Sequence, residues 1–180
     1  MLCGMFGPQN LFLVGPMGSG KSAVGKHLAL LLNMRFFDSD AEIERRTGVD
    51  IAFIFEKEGE AGFRQREREA IDALTSMDRI VLATGGGAVL LQENRRVLSE
   101  RGRVVYLKTS VAQQAERVRH GRTRPLLSNV DTATKLGELM EQRSSLYSEI
   151  ADVTVATDNR KVRSVAEDIL RELDSANRPR

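Results

Sequence analysis

Four apolar residues, "LFLV" (11–14), run straight into "GPMGSGKS" (15–22) and then into an amphipathic stretch. The octapeptide has the spacing G-x-x-x-x-G-K-[ST], which cradles phosphate when it follows a strand and opens a helix. Gly15, Gly18 and Gly20 permit the turns that aim successive N–H groups inward, and a helix behind them adds its positive N-terminal end. Lys21 brings a cation to the β- and γ-phosphates, and the Ser22 hydroxyl offers a ligand to magnesium.

The rest of the chain keeps the rhythm this unit requires. Short apolar runs at 11–14, 35–38, 80–84, 103–107 and 152–156 alternate with helical stretches at about 20–32, 41–47, 59–76, 92–101, 110–119, 132–149 and 160–174. That alternation predicts an α/β fold, a parallel sheet covered on both faces by helices. A chain of 180 residues supports one core with about 70% of its unfolded surface buried, so 1–180 reads as a single domain with its core over about 9–173. Between 120 and 130 the chain holds Gly, Pro, Ser and Asn with little periodicity, as expected of a mobile surface loop, and 175–180 should fray.

Composition narrows the function. Charged residues are 29% and apolar ones 41%, and there is no apolar run of about 18 residues, so neither a disordered chain nor a membrane span is expected. The first basic residue is Lys21, which argues against a secretory leader. Cys3 is the one cysteine, as suits a reducing cytoplasm. The net charge of +2 is far from that of a nucleic-acid binder, although Arg117, Arg119, Arg122 and Arg124 crowd one stretch, "ERVRHGRTRP".

Three further stretches ask whether the phosphate is only held or also moved. In "FFDSD", Asp38 and Asp40 project to one side at the carboxyl end of the second strand, where ligands bind in open α/β sheets. Asp38 suits the metal and its waters and Asp40 a substrate hydroxyl, while Ser39 or Asp40 also suits a helix cap. In "GFRQREREAIDAL", Arg64 and Glu67 enter an apolar row; in "KLGELMEQRSSLY", Arg143 stands among Leu136, Leu139, Met140, Leu146 and Tyr147. Buried guanidinium groups need anions, and two on separate helices suit one planar carboxylate that both clamp. In "LATGGGAVL", Gly85, Gly86 and Gly87 let a small polar ligand approach bare backbone.

Taken together, "GPMGSGKS", "FFDSD", "GFRQRE", "ATGGG", "RPLL" and "LYSEIAD" resemble, in order, the motifs of the shikimate kinase family, over about 9–173. The resemblance implies a nucleoside-monophosphate-kinase-like phosphate-loop fold: three αβα layers around a five-stranded parallel sheet, order 2-3-1-4-5, with a lid at about 120–130. It implies transfer of the ATP γ-phosphoryl to the 3-hydroxyl of shikimate, on the way to chorismate and aromatic amino acids, by a cytoplasmic monomer without nucleic-acid or membrane partners. Carried over residue by residue, Asp40, Arg64, Gly86, Gly87 and Arg143 would bind shikimate. Gly18, Ser19, Gly20, Lys21, Ser22, Ala23, Arg117, Arg124 and Arg160 would serve ATP, and Ser22 and Asp38 would hold Mg2+. Asp40, Lys21 and Arg124, the last on the lid, would be catalytic. The chain departs from the family at "RSSLY", where Arg-Asn-Pro-Leu-Tyr is usual, so the helix carrying Arg143 is expected to continue differently.

Charge bears on the mechanism. A loose phosphoryl-transfer transition state needs little base strength, so Asp40 is expected to orient the hydroxyl and accept its proton late. Kinases for gluconate or a nucleoside monophosphate would share the loop and the lid, and a non-catalytic nucleotide-binding module would share the loop. The D-x-x-G and N-K-x-D strings of a guanine-nucleotide switch do not occur.

Overall fold

The computed structural model describes residues 9–119 and 131–176. Five strands, β1 (Asn10–Val14), β2 (Arg35–Asp38), β3 (Ile80–Ala83), β4 (Gly102–Lys108) and β5 (Val153–Ala156), form one sheet in the order β2-β3-β1-β4-β5. All four pairings are parallel; Leu11 lies between Val81 and Arg103, and Leu13 between Ala83 and Val105. β1 is central and buried at every position, as its unbroken apolar run requires.

Side-chain alternation along β1 divides the core in two. Leu11 and Leu13 face helices α1 (Lys21–Leu32) and α7 (Val162–Ala176), packing with Val24, Leu28, Val165 and Ile169. Phe12 and Val14 face α3 (Ile51–Thr75), α4 (Gln92–Arg101) and α6 (Thr132–Ile150), packing with Ile71, Leu74, Leu98 and Tyr147. Two shorter helices, α2 (Ser39–Thr47) and α5 (Val111–Arg119), follow β2 and β4. A satellite cluster of Ile43, Ile54, Phe63 and Ala70 joins α2 to α3.

The observed strands and helices follow the hydrophobic periodicity with shifts at their ends. The largest correction is at α3, expected over 59–76 but starting at Ile51. Asp50 caps it, accepting from the Phe53 amide at 2.7 Å. Gly59, at φ 69° and ψ −174°, then breaks the helix into two segments, which is why the first segment lacks a period continuous with the second. α2 likewise begins two residues early, because its cap is Asp38 rather than Ser39 or Asp40: the Asp38 carboxylate accepts from the amides of Asp40 and Ala41. The expected frayed tail is helical as far as Ala176, and the lid at 120–130 lies outside the described residues.

Candidate active site

The carboxyl ends of the strands converge on a cavity of about 810 Å3. Its lining includes Gly18, Gly20, Lys21, Ser22 and Ala23 from the phosphate loop, Asp38 and Asp40 beyond β2, Thr84, Gly85 and Gly86 beyond β3, and Arg117 of α5. The loop is shaped by left-handed backbone at Gly18 and Gly20, φ 75° and 89°. Gly20 caps α1 without a side-chain hydrogen bond, so the first amides of that helix remain for an anion's oxygens. Lys21 folds along the loop, its ammonium donating to the carbonyls of Gly15 (2.8 Å) and Pro16 (2.7 Å) and to Ser19 Oγ (3.3 Å).

Ser22 Oγ donates to Asp38 Oδ2 at 2.6 Å, so the hydroxyl and carboxylate expected at the metal stand side by side. Two hard oxygen ligands suit Mg2+, which takes its remaining ligands from water and phosphate rather than from a protein cage. Among the described residues no cluster of three or more acidic, His or Cys side chains forms such a cage.

Behind this opening lies a smaller cavity of about 80 Å3, lined by Asp40, Arg64, Glu67, Gly85, Gly86, Gly87 and Arg143 and walled by Met17, Ile51, Phe55 and Phe63. The two cavities share Met17, Asp40, Ile51, Gly85 and Gly86. Arg64 and Arg143, on α3 and α6, are both buried here. For Arg64 the chain itself supplies carboxylates, beside the one shared anion expected to be clamped by both arginines: Nη1 donates to Glu67 Oε2 at 2.5 Å and Nη2 to Glu60 Oε1 at 3.1 Å. Arg143 differs, for its Nε has no hydrogen-bond partner among the described residues, and nor has Glu67 Oε1. Burial, with Asp40 adding to it, pushes the Glu67 carboxyl up to about 7 against the pull of Arg64 and Arg143.

The three glycines at the end of β3 serve close approach rather than unusual backbone, since none has positive φ. A Cβ on Gly85 would sit 2.6 Å from Glu67 Oε1 and 2.9 Å from Asp40 Oδ1, and one on Gly87 only 2.2 Å from Arg64 Nη2. On Gly86 it would lie 3.3 Å from the Met17 amide of the phosphate loop. Charged side chains from α2 and α3 thus press directly on the turn, and Ser39 Oγ ties α2 to it by accepting from the Gly85 amide at 2.9 Å.

The family model described as shikimate kinase matches residues 17–174. This chain belongs to the shikimate kinase family. It is 52% identical over 167 residues to the shikimate kinase of Buchnera aphidicola subsp. Schizaphis graminum, covering 92% of this chain and 96% of that one. It is 54% identical over 166 residues to that of Psychromonas ingrahamii, covering 92% and 97%. Among solved structures, the Acinetobacter baumannii shikimate kinase in complex with shikimate superposes with a TM-score of 0.93 at 48% identity, over 96% of each chain. The chain is therefore an ATP-dependent kinase.

Within this shikimate kinase family member, most residues expected at the site do come together. Ser19 does so indirectly, buried behind the loop with its Oγ on Lys21. Arg117 reaches the loop from α5, donating to the Gly18 carbonyl at 2.9 Å and the Thr157 carbonyl at 3.0 Å. Arg160 is engaged elsewhere, with the Ala156 carbonyl, Ser164 and Asp168. Arg124 lies outside the described residues. At "RSSLY" the helix runs on without a break, since Ser145 keeps the backbone donor a proline there would remove, and Arg143 reaches the small cavity. The sequence reading missed the apolar wall from Ile51 and Phe55, although their i, i+4 spacing was a signal for it. It also missed Glu60, whose i, i+4 spacing to Arg64 was visible.

Proposed function

We propose that this enzyme transfers the γ-phosphoryl group of ATP to the 3-hydroxyl of shikimate, giving shikimate 3-phosphate and ADP on the route to chorismate and the aromatic amino acids. The observation that carries the proposal is the meeting of Arg64 and Arg143, from separate helices, in one buried cavity that shares Asp40 with the cavity of the phosphate loop. Their guanidinium planes suit a carboxylate, the apolar wall of Phe55, Phe63 and Ile51 suits a carbon ring, and Asp40 lines both cavities, where it would stand between ring and phosphates. The Acinetobacter baumannii relative, with shikimate bound, supports the choice of acid.

In this reading the acceptor oxygen attacks the γ-phosphorus while the bond to the β–γ bridging oxygen breaks and its electron pair leaves with ADP. Asp40 orients the hydroxyl and takes its proton late. Lys21 exchanges its loop carbonyls for the phosphates and neutralises charge on the moving group. The loop amides around Gly18–Ala23 hold the phosphates, and Arg117 lies toward the base. Ser22 and Asp38 would hold Mg2+, which would supply counter-charge to the phosphates. Arg124 keeps the role of a lid arginine closing over them, and closure limits wasteful hydrolysis of ATP. The enzyme works as a cytoplasmic monomer, with 1–180 as one kinase domain.

The test is a coupled ADP-release assay on a panel of acceptors. Shikimate should give turnover that gluconate and nucleoside monophosphates do not. Equal turnover with gluconate, or ATP hydrolysis indifferent to every acceptor, would overturn the assignment.

A further inference from the structure

Tyr147 is 1% exposed, lies one helical turn beyond Arg143 on α6, and stacks on Tyr106 of β4 with ring centroids 5.1 Å apart. Its hydroxyl donates to the Gly86 carbonyl at 2.5 Å. The carbonyls on either side are held within the turn itself, Gly85 by the Ala88 amide at 3.1 Å and Gly87 by the Leu90 amide at 3.0 Å. The one between them is held from outside the turn, by a side chain of the helix that carries Arg143.

That contact fixes more than an oxygen. A trans peptide is planar, so the Gly86 carbonyl and the Gly87 N–H are opposite edges of one plate, and pinning the first sets the direction of the second. Without side chains at Gly86 or Gly87, little else resists rotation of that plate. Burial raises the Tyr147 phenol against the influence of the Arg143 guanidinium beside it, so the hydroxyl stays a donor at neutral pH.

We propose that Tyr147 is a positioning residue for the acidic end of the substrate: it aligns the Gly86–Gly87 peptide with the Arg143 guanidinium so that amide and cation meet one carboxylate together. This rests on the reading of the acceptor as shikimate. A tyrosine serving the core alone would set stability but would not distinguish a substrate bearing a carboxylate from one lacking it.

The experiment compares wild type and Tyr147→Phe on shikimate and on its methyl ester, whose acid is masked, with the melting transition of each protein recorded. Tyr147→Phe should keep a cooperative transition, since the ring and its stack on Tyr106 remain. The ratio of kcat/KM for acid over ester should fall about fivefold or more, the weight of one hydrogen bond, through KM for shikimate, with KM for ATP unchanged. If that variant does not fold, Tyr147→p-aminophenylalanine, a weaker donor on the same ring, should give a smaller fall in the same ratio. An unchanged acid-to-ester ratio in either variant, or a loss confined to kcat or to KM for ATP, would overturn the proposal. A wild-type enzyme inactive on shikimate would instead sink the underlying functional reading, and this proposal with it.

Discussion

Glu67 is wholly buried, with one carboxylate oxygen on Arg64 and the other against Gly85 opposite Asp40. Its raised value, about 7 against an ordinary 4.5, makes folding pH-dependent. Between those limits the folded chain holds a proton that the unfolded chain has lost, so stability falls as pH rises. The contribution is complete below 4.5 and gone above about 7. It amounts to at most about 3 kcal/mol by linkage. Glu67→Gln should flatten the difference in urea midpoint between pH 5 and pH 8 measured without substrate; an unaltered slope would contradict the assignment. Gly87→Ala tests the turn from the other side. The added Cβ, 2.2 Å from Arg64 Nη2, should displace that flexible guanidinium while leaving the fold intact. We expect KM for shikimate to rise by an amount worth about 1.5–3 kcal/mol, a charge-assisted hydrogen bond, with KM for ATP unchanged in steady-state kinetics.

At the scale of elements, the phosphate loop depends on how closely α1 can approach the sheet. Gly25 makes that approach possible: a Cβ there would lie 2.6 Å from the Phe36 ring and 3.1 Å from Leu13 Cδ1. Gly25→Ala should overpack this contact and destabilise by about 1–3 kcal/mol, read from urea unfolding. The requirement was invisible in the sequence, where Gly25 sits inside a helix with nothing local to explain it. Other features were legible because they are local. The strand runs are continuous apolar segments, and a cap near the head of α2 follows from the short polar side chains of "DSD", although which of them caps, Asp38, was settled only by the helix starting two residues earlier than its apolar period. The start of α3 was obscured because Gly59 interrupts the helical period between Ile51 and Phe63.

For the molecule as a whole, turnover should require the lid to close on the nucleotide. Arg124→Ala is expected to cut kcat about a thousandfold or more, the range of a transition-state arginine, with shikimate affinity measured by titration largely kept. Near-normal turnover would refute the lid role. The phosphate loop, the α/β alternation of a parallel sheet and the candidate Asp40, Arg64 and Arg143 were all readable from residue type and spacing, because loop turns, periodicity and buried charge leave marks within a few neighbouring positions. The acids that hold Arg64 were within reach of such a pattern, since Glu67 and Glu60 stand three and four residues from it on α3. That Arg143 Nε finds no hydrogen-bond partner among the described residues depends on how α3 and α6 are set against the β3 turn. So does the use of three glycines as room for charged side chains, and the grip of Tyr147 on Gly86 from 61 residues away in sequence. Local chemistry dictated the parts; only packing between distant elements decided which charges and dipoles face each other, since Coulombic and hydrogen-bond energies depend on distances that no local pattern encodes.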